Sequence, residues 1–145
     1  MNEWLSPVYK TLAASELGAG HTSGIVPTRE TQDYFGSSNR NESHLIKEIT
    51  VEFWCGENKE SIKTNVMFYV SNTHRHIHLT GNLMPIYMKF GAELGDILVF
   101  WKCEENDTLF KAELIKPGSE RWDMIESSDD FPRKGGFLKL TPPGI

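Results

Sequence analysis

LIKEITVEFWCGENKESIKTNVMFYVSNTHRHIHLTG, residues 45–81, holds two alternating apolar runs followed by a row of histidines. In Leu45–Cys55, Ile49, Val51 and Phe53 alternate with Glu48, Thr50 and Glu52, the period-two pattern of a strand with one buried face. Gly56–Glu60 reads as a turn and Ile62–Ser71 as the next strand, so the two form a hairpin. Beyond it, Ser71–Thr80 is polar and expected to be exposed. On a strand its three histidines, His74, His76 and His78, would share one face.

Charge sets the same stretch apart. The chain has 145 residues, 20 acids, 15 bases and a net charge of -5, which on average disfavours a polyanionic partner. Residues 1–60 carry nine acids and five bases, and residues 93–130 carry eleven acids and four bases. Residues 61–92 carry no acid, but Lys63, Arg75 and Lys89, and the tail 131–145 adds Arg133, Lys134 and Lys139. Local exclusion of carboxylates is what a surface that meets a polyanion requires. Buried strands account for part of the gap, since Val66–Val70 is apolar, but not for the polar Ser71–Thr80.

On either side the pattern stays mostly β. Val8–Ser15 begins as a strand, and Glu16–Ser23, with Gly18 and Gly20, is a loop. Pro27-Thr28-Arg29-Glu30 opens a short helix that runs to Phe35 and stops at Gly36, and Gly36–Ser43 is a polar loop. Leu83, Ile86, Tyr87 and Phe90 have helical spacing, with Pro85 in the first turn. Ile97–Cys103 and Thr108–Ile115 are strands joined by the acidic tip Glu104-Glu105-Asn106-Asp107. A turn of helix at Arg121–Glu126 and a last strand at Gly136–Leu140 complete a barrel-like domain spanning 1–145. Thr141-Pro142-Pro143-Gly144 has the composition of an interdomain linker.

Several function classes find no support. The longest uncharged runs fall short of the ~18–20 apolar residues of a membrane span, and no basic stretch precedes an apolar signal core. A soluble, cytoplasmic chain is expected. Cys55 and Cys103 lack Cys-x-x-Cys spacing and read as reduced core thiols. There is no Gly-x-Ser-x-Gly elbow, and Gly18-Ala19-Gly20 is not followed by a phosphate-loop lysine. Glu57-Asn58-Lys59 falls in a turn, a poor platform for nuclease metal ligands. Trp54 and Trp101 sit among apolar strand neighbours, as core residues do.

The histidine row admits two chemistries. Alternating imidazoles can hold zinc, copper or iron, with His21 as a further ligand, although the next acid after His78 is as far away as Glu93. The same segment can read bases, because arginine pairs bidentately with guanine and amide side chains pair with base edges. Asn72 and Arg75 suit that role. A third option is a protein-interaction module built on the acidic tip Glu104–Asp107.

Three stretches resemble the B-three-type DNA-binding pseudobarrel of plant transcription factors and of the N-terminal effector domain of EcoRII-like type IIE restriction endonucleases. Lys10-Thr11-Leu12-Ala13-Ala14-Ser15-Glu16, Gly20-His21 and Ile25-Val26-Pro27 look like its first strand, N-terminal arm and lead into the first helix. Asn72–Thr80 resembles the C-terminal arm, and Gly91-Ala92-Glu93-Leu94-Gly95-Asp96-Ile97-Leu98-Val99-Phe100 the Gly-Asp segment that leads into a core strand. The match runs in order over residues 8–115.

The resemblance implies a seven-stranded open pseudobarrel with two short helices, gripping the major groove of double-stranded DNA with arms near 16–23 and 71–80. It implies base readers at His21, Asn72, His74, Arg75 and His76, with Thr22, Ser23, Thr73 and His78 beside them, and backbone contacts from Lys10 and Lys63. It further implies a monomeric, cofactor-free domain without catalysis, covalently linked to the catalytic domain of a prokaryotic restriction enzyme and reading a short site of the CCWGG type. The histidines replace charged or hydroxyl residues common in that arm, and the N-terminal arm is almost free of charge.

Overall fold

The computed structural model describes residues 3–17, 24–127 and 135–144. Its centre is the long hairpin of β2 (His44–Cys55) and β3 (Asn58–Val70). Ile49, Val51 and Phe53 are fully buried along β2, and Thr64, Val66 and Phe68 are buried along β3. The alternation thus marks the core face. The turn is shorter than the sequence implies: Cys55 pairs with Asn58, and Gly56 takes φ 59°, a left-handed conformation that costs glycine little. Glu57 is therefore in the turn, but Asn58 and Lys59 already belong to β3.

The remaining strands are β1 (Val8–Thr11), β4 (Arg75–Thr80), β5 (Ile97–Lys102), β6 (Leu109–Ile115) and β7 (Gly135–Phe137). They form one mixed sheet in the order β4-β3-β2-β6-β5-β1-β7. Only the β2–β6 junction is parallel, and it joins the long hairpin to the hairpin of β5 and β6. Two α-helices are present: α1 (Leu83–Phe90), as the apolar spacing implies, and α2 (Glu120–Glu126), where a turn of helix is expected.

The sheet curls without closing, and a short element spans its opening. Arg29–Tyr34 is a 3-10 helix rather than an α-helix. Its Gln32 Oε1 accepts the Ile77 N–H of edge strand β4 at 3.0 Å, while the Tyr34 ring meets Phe137 of edge strand β7 at 6.3 Å between centroids. Phe35 follows directly and packs edge-on to Phe100 and flat on Phe110, which fills the half-barrel. This is a seven-stranded open pseudobarrel.

The outer side of β1, β5, β6 and β7 carries a second apolar layer: Tyr9, Val99, Trp101, Ile115, Ile125 and Leu138. Strand β5 is consequently buried on both faces. Residues 140–143 cross this layer and are bonded to it. Trp101 Nε1 donates to Leu140 O (2.9 Å), Arg121 Nη2 to Thr141 O (2.6 Å) and Lys111 Nζ to Pro143 O (2.7 Å). Gly144 lies on the Trp54 ring so closely that a Cβ there would sit 2.7 Å from Cζ2. Pro142 and Pro143 have no N–H to satisfy, and carbonyls of this strap are met by the Trp101 indole, buried Lys111 and half-buried Arg121.

Candidate nucleic-acid interface

Strands β3 and β4 continue as a hairpin from Asn65↔Thr80 to Val70↔Arg75, and residues 71–74 form its tip. The tip is held by Ser71 N donating to His74 O (2.9 Å) and His74 N donating to Ser71 Oγ (3.2 Å). Asn72, Thr73, His74 and Arg75 are all exposed there. The structure therefore brings three candidate readers, Asn72, His74 and Arg75, together with Thr73 at one projecting end.

The strand that follows does not match the expectation of an exposed polar segment. Ile77, His78 and Leu79 are buried, at 3%, 7% and 0% exposure. Ile77 and Leu79 enter the core because their partners Phe68 and Val66 lie on the core face of β3. His76 and His78 point the other way, opposite Tyr69 and Met67. Only these two histidines share a strand face, since His74 precedes β4 in the tip.

Their rings form an aromatic cluster with Tyr69. His76 stacks on Tyr69 at 5.7 Å and 19°, and His78 meets Tyr69 at 5.0 Å and His76 at 5.7 Å. Burial holds the pKa of His78 below the ordinary histidine value, and the neighbouring His76 and Lys10 push it the same way. Burial also lowers His76, with His74 adding to it. At neutral pH both rings are uncharged, so this face carries imidazole and π surface rather than cations, with half-buried His76 and Tyr69 its accessible part. Tyr69 was missed in the sequence because it lies inside an apolar run. The signal that could have found it is its parity with the histidines across the hairpin.

Arg75 faces away from that cluster. Its Nη1 donates to Asn41 Oδ1 (3.0 Å), its Nη2 donates to Arg40 O (2.5 Å), and its guanidinium lies 5.2 Å from the Phe68 ring centroid. The arginine thus latches the polar loop 36–43 against the hairpin and places exposed Arg40 and Asn41 beside it. No local sequence pattern reports that pairing.

The cations of the acid-free window fare differently. Lys63 Nζ lies 3.8 Å from Glu48 Oε1, and Lys89 is paired with Glu60. Among the described residues, Arg75 has no carboxylate partner. Lys63 also lies seven positions along β3 from Val70, roughly 20 Å at ~3.3 Å per strand residue. It stands apart from the tip. Lys10 is engaged as well: its Nζ donates to Val26 O (2.5 Å) and pairs with Glu16 Oε2 (3.2 Å).

His21, Thr22 and Ser23 lie outside the described residues. The segment that leads away from them is placed: Ile25 and Leu79 exchange two backbone hydrogen bonds of 2.8 Å, so residues 24–25 add to the free edge of β4. Gly24 rests on the His78 ring, and a Cβ there would sit 2.9 Å from His78 Nε2 and closer still to Leu79 O. Among the described residues, that buried Nε2 has no hydrogen-bond partner.

Elsewhere, a groove of about 570 Å³ lies between Trp4, Pro7, Trp101, Met124, Leu138 and Leu140, and among the described residues Lys139 is the one ionisable side chain lining it. Among the described residues, no three His, Cys, Asp or Glu side chains converge as metal ligands would. No described helix is long and apolar enough to cross a membrane.

No protein-family model matches the chain, and no curated protein matches it by sequence. Solved structures do match by fold. The N-terminal domain of Helicobacter pylori LlaJI.R1 superposes with a TM-score of 0.59 at 13% identity, covering 94% of this chain and all of that one. The Arabidopsis FUS3–DNA complex gives 0.56 at 15% identity, covering 79% of this chain and 98% of that one. The Arabidopsis thaliana LEC2–DNA complex gives 0.54 at 23% identity, covering 81% and 97%. The chain has the B-three-type pseudobarrel fold.

Proposed function

We propose that this chain is a sequence-specific double-stranded DNA-binding domain that does no chemistry itself. The observation that carries it is the Ile25–Leu79 bridge at the edge of β4, which roots both proposed arms side by side. Two of the fold neighbours are DNA complexes, and a fold shared at such low identity leaves the interface to be argued from this chain's own residues.

Asn72, Thr73 and His74 at the tip, with Arg75 and His76 behind them, supply amide, hydroxyl, imidazole and guanidinium groups suited to base edges in the major groove. His21, Thr22 and Ser23 supply the second arm. Arg40 beside Arg75 gives the phosphate contact that fixes register. His78 and Lys10 act at the root of the arms, and Lys63 adds only to the general field.

The domain serves as the recognition or effector module of a type II restriction endonuclease in a prokaryotic cytoplasm. It is monomeric, linked to a separate catalytic domain and directed to a short duplex site of the CCWGG type. The N-terminal domain from Helicobacter pylori, matched over nearly the whole of both chains, supports that module-like use.

Selection from a random duplex pool, followed by sequencing, tests the proposal. Enrichment of one short motif, with a shallow dependence of log K on log salt, is expected because few cations face the groove. Retention of no duplex at moderate salt, or binding with no motif, would reject it.

A further inference from the structure

We infer that Glu16 is a positioning residue that clamps the two ends of the N-terminal arm and so presets it for the groove. This rests on the DNA-binding proposal above and adds to it a residue to which no base contact is assigned.

Glu16 lies within the short 3-10 turn Ala14–Leu17 and is only 2% exposed. A buried carboxylate is costly unless its oxygens are fully partnered. Here the partners come from both sides of the arm. Oε1 accepts the Ala13 N–H at 2.9 Å on the outgoing side, and Oε2 accepts the Val26 N–H at 3.1 Å on the returning side.

Lys10 closes the ring. Its ammonium lies 3.2 Å from Glu16 Oε2 and donates to Val26 O, so both backbone groups of Val26 are held by one ion pair. Just before Val26 the chain is stitched to β4 through Ile25 and Leu79. One carboxylate therefore ties Ala13, before the arm, to Val26, after it, next to the residue that pairs with β4. A reader held by such a root meets the duplex already placed, which raises affinity for a correct site more than for an arbitrary one.

The test compares Glu16→Gln and Glu16→Asp with the parent, using the motif obtained by selection and a scrambled duplex of equal length. Glu16→Gln replaces one acceptor oxygen by an amide facing an N–H and removes one negative charge. Specific affinity is expected to fall roughly 10- to 100-fold, the loss of charge-assisted hydrogen bonds. Binding to scrambled duplex should hold or rise, because the freed Lys10 adds positive field. A merely destabilising change would lower both together. Glu16→Asp keeps the charge but shortens the reach by one methylene, and is expected to lose discrimination like Glu16→Gln.

Parent-like discrimination in either variant overturns the clamp. Amide exchange in the folded parent covers the case of poor folding: Ala13 and Val26 should exchange slowly, and free exchange at Val26 overturns it. A parent that selects no motif rejects the DNA reading itself, and the clamp with it, whereas a selective parent with selective variants rejects the clamp alone.

Discussion

His76 of β4 lies flat against Tyr69 of β3, ring centroids 5.7 Å apart and planes 19° from parallel. The stack sits just behind the exposed hairpin tip. Tyr69→Ala and His76→Ala should each weaken binding to the selected duplex, and the double variant should show a coupling of about 0.5–1.5 kcal/mol in a mutant cycle. Tyr69→Phe keeps the ring and should bind close to the parent. Strict additivity in fluorescence-anisotropy titrations would show that the pair does not act as a unit.

Arg75 is held by two acceptors from one neighbouring loop, Asn41 Oδ1 and Arg40 O. Arg75→Ala should cost about 1–3 kcal/mol in binding and relax preference at one base pair. Arg75→Lys should recover little, because an ammonium has no planar fork to meet two fixed acceptors or a guanine edge. Titration against single-base variants of the site checks this. Parent-like discrimination by Arg75→Ala would remove Arg75 from the readers.

The lowered pKa values of His76 and His78 give stability a definite pH dependence. Between the lowered folded values and about 6.5, the unfolded chain binds more protons than the folded one, so stability rises with pH through that window. The contribution is complete above about 6.5 and is lost as pH falls. Urea midpoints should therefore drop between pH 7 and 5.5, and His78→Gln should flatten that slope. An unchanged slope in the His78 variant would contradict the assignment.

On the far side of the sheet, Arg121 grips buried Glu113 through Nε at 3.1 Å and Nη2 at 2.6 Å, and also holds Thr141 O. Arg121→Leu leaves a carboxylate that is 6% exposed without its partner and should destabilise the fold by about 3–5 kcal/mol. Specific duplex affinity of the folded fraction should not change, because this pair is remote from the arm tip. A thermal or urea melt combined with titration below the transition separates the two effects.

The alternation of Ile49, Val51 and Phe53, the helical spacing of Leu83 to Phe90 and the hairpin pattern from residue 45 onward were legible because each is a local period imposed by one buried face. The same locality explains the misreadings. Ser71–Thr80 looks polar as a string, yet Ile77 and Leu79 fall on the core side of β4 once it pairs with β3, and residues 24–25 cover His78 from the edge. Residues 141–144 have a linker's composition, which does not reveal that Arg121 and Lys111 bind the carbonyls of Thr141 and Pro143.

The acid-free window from 61 to 92 was a property of the sequence alone, and so was its coincidence with the arm. Which of its cations remain without a carboxylate was decided in three dimensions. Glu48 and Glu60 come from outside the window to meet Lys63 and Lys89, while Arg75 is met by an amide and a carbonyl 34 and 35 positions away. Periodicity fixes which face of a strand is buried; only the pairing of strands fixes what stands opposite each side chain, and that sets charge, hydrogen bonding and reach at the proposed interface.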